Sequence, residues 1–158
     1  MRLWDYRLLK VLPDKFIIAQ WRECIAIKRQ WEKGTLIHPL IGYVKNYDKQ
    51  YFCKYVDDVV AEMNKRHINY NSKYYDEIFA FCNGNSTAYN YYPEHDIRYL
   101  KQCYYNLQEK YDRGIISEEE WKKIESTVDT MEQAIVSSKN GIGFKLQDTN
   151  KIEIYGGV

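Results

Sequence analysis

Apolar residues recur at helical spacing along most of the chain. The clearest stretch is 48–66, where a single helix face would carry Tyr51, Phe52, Tyr55, Val56, Val59, Val60 and Met63. A short helix is predicted over 5–12 and is broken by Pro13. A longer helix should follow, with Asp14 as its cap and Gly34 as its stop.

The second half of the chain shows the same periodicity and then changes character. A helix is predicted over 96–112, after a polar loop at 83–93, and Ser117 with Glu120 forms a capping box for the next helix. The tail alternates apolar and polar residues about Asp148 and predicts a small β-hairpin. We therefore expect a mainly α fold, a compact single-domain bundle of about four to five helices over 1–138, with a C-terminal extension at 139–158.

Length and composition place the chain among globular proteins. Its 158 residues, 45% of them hydrophobic, suffice for one buried core. No apolar run is long enough to cross a bilayer, and charges are spread through the first twenty residues, so we expect a cytoplasmic protein. The four cysteines show no metal-ligand spacing, so we expect buried free thiols, no metal and no cofactor.

The small net charge hides an asymmetry between the two ends of the chain. Residues 1–56 contain eleven Lys and Arg against five Asp and Glu, whereas the remainder contains twelve against seventeen. A basic N-terminal part is suited to an anionic partner such as nucleic acid, but a solvated helix surface explains it equally well. Sixteen tyrosines offer stacking surface or core packing, and the sequence leaves that choice open.

No common nucleotide, zinc-protease or hydrolase motif is present, but several short blocks together are informative. They are Met1-Arg2-Leu3-Trp4, Gln20-Trp21-Arg22-Glu23-Cys24, His38-Pro39-Leu40, Glu62-Met63-Asn64-Lys65-Arg66 and Tyr92-Pro93-Glu94-His95-Asp96. In order and spacing these blocks resemble the pyrimidine-dimer DNA glycosylases, the phage endonuclease V type and its bacterial relatives. The resemblance extends over about residues 1–110.

This resemblance implies a specific chemistry at the N-terminus. Family members attack the sugar C1′ of the damaged nucleotide with an α-amino group, which expels the base and leaves a Schiff base that permits strand cleavage. The resemblance therefore implies Met1 as the nucleophile and Glu23 as the carboxylate that stabilises the cationic sugar and moves protons. An α-amine suits this task because its reference pKa, near 8, is about two units below that of a lysine.

The same resemblance implies contacts with DNA. Arg2 and Arg22 correspond to family arginines and are candidates for phosphate contact, and Lys28, Arg29 and Lys33 would extend the basic track along the helix. The expected partner is double-stranded DNA, damaged or abasic. We expect a monomer in the cytoplasm of a bacterium or of a phage-infected host, with no membrane partner.

Two features depart from the family pattern. Phage members lose their initiator methionine and expose threonine, whereas Arg2 should block that removal here and leave Met1 to supply the amine. The phage type also ends in a short aromatic tail, and residues 114–158 differ from it. Three alternatives stay open: a related damaged or modified base as the target, an abasic-site lyase without a glycosylase step, and a non-catalytic module on the same fold that binds nucleic acid or protein.

Overall fold

The structure is a computed structural model that describes residues 1–84, 90–138, 143–146 and 152–155, with side chains up to residue 135. It is mainly helical, as predicted. The helices are α1 (Asp14–Glu32), α2 (Lys49–Lys65), α3 (Ser72–Phe81), α4 (Ile97–Asp112) and α5 (Glu118–Ser138), and the strands are β1 (Gly143–Leu146) and β2 (Ile152–Tyr155). Short 3₁₀ helices cover Tyr6–Val11 and Gly42–Asn46.

The chain forms two compact units, Met1–Leu100 and Lys101–Val158, so that the dividing point falls within α4. The boundary predicted after residue 138 stays a prediction. No described helix is both long enough and apolar enough to cross a membrane.

The entry into α1 is set by a proline. Pro13 is the N-cap, with φ −53° and ψ 148°, and no side chain caps the helix there. The prediction that Asp14 caps α1 is therefore wrong. Asp14 is instead the first helical residue, where a negative charge is favourable, and it lies 2.9 Å from the guanidinium of Arg66. The predicted stop is confirmed, because Gly34 has a φ of +69° that a glycine adopts at no steric cost.

The segment before Pro13 is more tightly wound than predicted. Tyr6–Val11 is a 3₁₀ helix, and Asp5 caps it by accepting a 3.0 Å hydrogen bond from the Arg7 N–H. Leu12 is already extended, as is usual for a residue that precedes proline. The 3₁₀ helix therefore ends at once against α1, and residues 1–12 have no room for a longer helix.

Helix α2 is the central apolar element of the first unit. Tyr51 is partly exposed, and Asp48 caps the helix by accepting from the Gln50 N–H. The buried residues of α2 are Phe52, Cys53, Tyr55, Val56, Val59, Val60 and Met63. The prediction over 48–66 is confirmed. Helix α3 was not predicted, although Asn71 caps it in the ordinary way by accepting from the Lys73 N–H.

The second unit follows local sequence signals closely. Ser117 and Glu120 form the predicted capping box: the Ser117 N–H donates to the Glu120 carboxylate at 2.8 Å, and the Glu120 N–H donates to the Ser117 hydroxyl at 3.3 Å. Strands β1 and β2 pair antiparallel, with Phe144 opposite Ile154 and Leu146 opposite Ile152. The predicted hairpin is thus present, and its turn at 147–151 lies outside the described residues, as does 85–89 of the predicted polar loop.

Candidate active site

The first four residues form part of the first unit, and two of them pack into its core. Leu3 is fully buried and Trp4 is nearly so. The backbone of this segment has side-chain partners from three helices. Its hydrogen bonds are Arg2 N–H to Glu23 Oε2 (3.1 Å), Trp4 N–H to Gln20 Oε1 (2.9 Å), Tyr55 hydroxyl to Trp4 carbonyl (2.8 Å) and Tyr99 hydroxyl to Leu3 carbonyl. The path of residues 2–4 is therefore fixed by α1, α2 and α4.

Glu23 lies on α1 beside the buried face, as predicted from its position in the sequence. Its side chain is half-buried, next to Gln20 and Cys24, which are both buried. One carboxylate oxygen, Oε2, accepts the Arg2 N–H and also lies 3.4 Å from Gln20 Nε2. Buried and half-buried carboxylates need such donors to stay charged. Glu23 is therefore held as an acceptor facing the N-terminal segment.

Met1 is brought close to this carboxylate by covalent geometry. The Arg2 nitrogen that donates to Glu23 is joined to the Met1 amine through only three bonds, so the amine lies at most about 7 Å from Oε2. Met1 is 38% exposed. Within the described part of the chain, no carboxylate forms an ion pair with the amine. The amine is therefore near the carboxylate, on a residue that is exposed.

Arg2 occupies a half-buried position in the same place. Its guanidinium carbon lies 5.8 Å from the centre of the Trp4 ring, a cation–π distance. Its Nη1 atom is buried and has no hydrogen-bond partner among the described residues. A buried guanidinium nitrogen without an acceptor is unfavourable, so the described neighbours of Arg2 leave part of its hydrogen-bonding capacity unused.

The predicted basic track on α1 divides in two. Arg22, Arg29 and Lys33 are exposed, and at 100° per residue they fall within about 40° of one another, together with exposed Lys15. Arg29 also stacks over Tyr74 at 5.2 Å. Lys28 is different, because it points to the buried side of α1 and pairs with Glu32 at 2.8 Å. The exposed basic row is Lys15, Arg22, Arg29 and Lys33, and Lys28 is not part of it.

Three site residues were missed in the sequence. Gln20, Tyr55 and Tyr99 bind the N-terminal segment, yet each fits equally well into an apolar helical stripe as core. Gln20 was the most detectable, since an amide on a buried helix face must find hydrogen-bond partners. Tyr55 and Tyr99 gave no sign of their role, because a buried tyrosine needs only one partner, which the sequence does not name.

A tyrosine cluster around His95 lies on the same unit. His95 is buried, its Nε2 lies 2.8 Å from the Tyr43 hydroxyl, and its ring centre is 4.8 Å from that of Tyr99. Burial lowers the pKa of His95 to about 4, with smaller opposing and reinforcing effects from Asp5 and Arg7. His95 is therefore neutral near pH 7, and it contacts the tyrosine that holds Leu3.

The cysteines are buried free thiols, as predicted. Burial raises the pKa of the Cys24 thiol, which lies next to Glu23, so this cysteine is not a nucleophile near neutral pH. Among the described residues, no three His, Cys, Asp or Glu side chains are grouped so that they could hold a metal ion.

Comparison with known proteins gives one match. Residues 1–76 match the family model described as pyrimidine dimer DNA glycosylase. The match spans the N-terminal segment, α1, α2 and the start of α3, and thus contains Met1, Gln20 and Glu23. No curated protein and no solved structure matches the chain. The block at Tyr92–Asp96 lies beyond the matched residues. Residues 1–76, just under half of the 158-residue chain, are thus similar to the pyrimidine dimer DNA glycosylase family.

Proposed function

We propose that this protein is a DNA-repair glycosylase with abasic-site lyase activity, which excises pyrimidine dimers or a related damaged base. The Met1 α-amine attacks C1′ of the damaged nucleotide, and the glycosidic bond breaks as the base leaves with the bonding electron pair and gains a proton. The sugar ring then opens to give an imine between C1′ and the amine. Loss of a C2′ proton expels the 3′ phosphate and cleaves the strand.

The observation that carries this proposal is the hydrogen bond between the Arg2 N–H and Glu23 Oε2. It ties the peptide group next to the amine to a half-buried carboxylate, 3.1 Å apart across 21 residues of sequence. Positive charge develops on the sugar as the base departs, and a carboxylate held in place stabilises it without reorganising. In this proposal, the same carboxylate also transfers the protons that move during imine formation and elimination.

The exposed basic row supplies the contact with DNA in this proposal. Arg22 directly precedes Glu23 on α1, and Arg29 and Lys33 continue the row along the helix. Charges in a line of this kind suit the phosphates of a strand that runs past the site. Arg2, which is next to the amine-bearing residue, would contact the nucleotide at the site itself through its guanidinium group.

Borohydride trapping tests the proposal directly. Reduction of an imine makes the link between protein and DNA permanent, so untagged protein mixed with an abasic-site duplex and borohydride should give one covalent complex. Mass spectrometry of the cross-linked peptide should place the DNA on the Met1 nitrogen. A variant extended by a few residues before Met1 should lose trapping, whereas the same extension placed after Val158 should not. Absence of trapping with intact protein would contradict the enzymatic proposal.

The lesion is tested separately. Ultraviolet-irradiated plasmid should be nicked at pyrimidine dimers, while undamaged plasmid stays intact. Cleavage of abasic DNA without cleavage of irradiated DNA would restrict the activity to the lyase step and contradict the glycosylase part. Binding of either DNA without trapping would instead support a non-catalytic module.

A further inference from the structure

We propose that Gln20 is a positioning residue, which uses the two ends of one amide to hold the segment that carries the amine and the carboxylate that acts with it. The inference rests on the proposed function, because it concerns how Met1 and Glu23 are kept at their working separation. Gln20 touches neither the amine nor the substrate position. It acts through Trp4 on one side and Glu23 on the other.

The hydrogen bonds fix which way the amide points. The Gln20 Oε1 atom accepts the Trp4 N–H at 2.9 Å and lies 3.2 Å from the Tyr55 hydroxyl. The Nε2 end then faces Glu23 Oε2 at 3.4 Å. The reversed amide would set a donor against the Trp4 N–H and an oxygen against the Glu23 carboxylate, so both contacts favour the observed orientation.

Burial explains why an amide at this position needs these partners. Gln20 is 1% exposed, and its neighbours on the buried face of α1 are mostly apolar. A hydrocarbon side chain would fill the same space without any polar atom to satisfy. An amide is retained in such a place at a desolvation cost, and here the contacts that offset that cost both lead to the candidate active site.

Tyr55, on α2, also holds the Trp4 backbone in place. Its hydroxyl donates to the Trp4 carbonyl at 2.8 Å, so both polar groups of the Trp4 backbone are held, one by α1 and one by α2. The Arg2 N–H then completes the link to Glu23. Gln20 thus contacts both the Trp4 backbone and the Glu23 carboxylate, and the Arg2 N–H joins the same carboxylate directly.

The 3.4 Å contact to Glu23 is at the long end of the hydrogen-bond range. Contacts of this kind are often long in the free enzyme and shorten when the substrate is bound. We therefore expect Gln20 to matter more for the chemical step than for binding of DNA. Removing it should lower kcat and leave KM nearly unchanged.

The test replaces Gln20 with methionine, which is unbranched, close in volume and compatible with a helix. Gln20→Met should lower the single-turnover rate of borohydride trapping on abasic DNA by about 10- to 100-fold, because small displacements of reacting groups have effects of that size. It should also move the acid limb of the rate profile to higher pH, because a donor that favours the charged carboxylate is lost. Affinity for the DNA should change by less than about threefold.

Tyr75→Phe is the matched control. It removes a 2.8 Å hydrogen bond between a tyrosine on α3 and Asp57 on α2, in the same unit and away from residues 2–4. It should lower thermal stability while the rate per folded molecule and the pH profile stay as in the wild type. If Gln20→Met behaves like this control, with an unchanged acid limb and a rate within twofold of the wild type, Gln20 is structural and the inference is wrong.

The link between Gln20 and Glu23 can also be tested in the wild-type protein, where no variant has to fold. The side-chain amide resonances of Gln20 in an NMR titration should move with pH at the same midpoint as the Glu23 side-chain carbon. The absence of that movement would overturn the inference. This titration also separates the two proposals, since it reports on the link between Gln20 and Glu23 whether or not the protein traps abasic DNA.

Discussion

The two units of this protein differ in where their described polar contacts lie. In Met1–Leu100, several of these contacts are buried: Asp5 is fully buried against Arg7 at 2.8 Å, and Gln20 and His95 are buried with specific partners. In Lys101–Val158, the described ion pairs lie on the surface, such as Lys122 with Glu118 at 2.8 Å, where both side chains are about 70% exposed.

This difference indicates that the buried polar residues of the first unit do more than stabilise the fold. A buried polar group loses its hydration, and hydrogen bonds of good geometry must offset that loss. An exposed ion pair one helical turn apart, in contrast, forms from local sequence alone. Asp5 and Gln20 lie beside or contact residues 2–4, inside the part of the chain that matches the glycosylase family, whereas His95 lies beyond that part. Substitutions in each unit test this difference between buried and exposed polar groups.

The largest expected effect comes from Glu23→Gln. The amide can still accept from the Arg2 N–H, so the fold should be kept while the charge is lost. We expect cleavage of abasic and irradiated DNA to fall by about a thousandfold, within the range for loss of a general acid or base. Single-turnover assays check this. Glu32→Gln, on the same helix but paired with Lys28, should retain the wild-type rate. Equal rates for the two variants would remove Glu23 from the site.

Acid should weaken the first unit through His95. Its folded pKa, about 4, lies below the ordinary value of 6.5, so the unfolded chain binds the proton more readily between these values. The stabilisation is therefore fully present above about pH 6.5 and is lost as the pH falls towards 4, by at most about 3 kcal/mol. Urea denaturation followed by tryptophan fluorescence at several pH values measures it.

His95→Phe should flatten this pH dependence, because the phenyl ring keeps the aromatic packing and does not titrate. The matched control is His67→Asn, since His67 is exposed and has a φ of +56°, which asparagine tolerates well. The control should keep the slope of the wild type. An unchanged slope in His95→Phe would show that other groups govern the acid sensitivity.

Arg22→Ala should weaken DNA binding by about tenfold and reduce the slope of log affinity against log salt by about 1, as expected for loss of one phosphate contact. Fluorescence anisotropy across a salt series gives both numbers. Lys28→Ala should leave the salt slope unchanged, because Lys28 faces the buried side of α1 and pairs with Glu32. A lower slope in Lys28→Ala would contradict the division of the basic residues.

The smallest effect is expected in the second unit. Lys122→Ala breaks an exposed pair with Glu118 and should change the free energy of unfolding by no more than about 0.5 kcal/mol. Chemical denaturation measures this change. A loss above about 1.5 kcal/mol would show that surface charge in this unit contributes as much as the buried groups do in the other.

The sequence predicted most helices because their ends and faces are encoded locally. The capping box at Ser117 and Glu120, the glycine stop at Gly34 and the apolar face of α2 all appeared where expected. Two local interpretations failed. Asp14 is not a cap, because Pro13 already provides the required geometry, and α3 was passed over although Asn71 marks its start.

The candidate site was predicted only in outline. Met1 and Glu23 came from the placement of family blocks, and the structure sets the neighbouring peptide N–H against the carboxylate. Their roles in catalysis stay predictions. The sequence could not separate Lys28 from the exposed lysines, since a lysine on a helix has the same appearance in the sequence whether it faces water or the core.

The helical class and most of the helix ends follow from the sequence alone, because caps, glycines and apolar spacing act within one or two turns. Met1 and Glu23 were named from the resemblance to a known family. Only the tertiary structure decided that Gln20, Tyr55 and Tyr99 hold the N-terminal segment. Those contacts join residues that are 16 to 96 positions apart. Their partners are backbone groups, which every residue carries, so no side-chain pattern in the sequence could have named them.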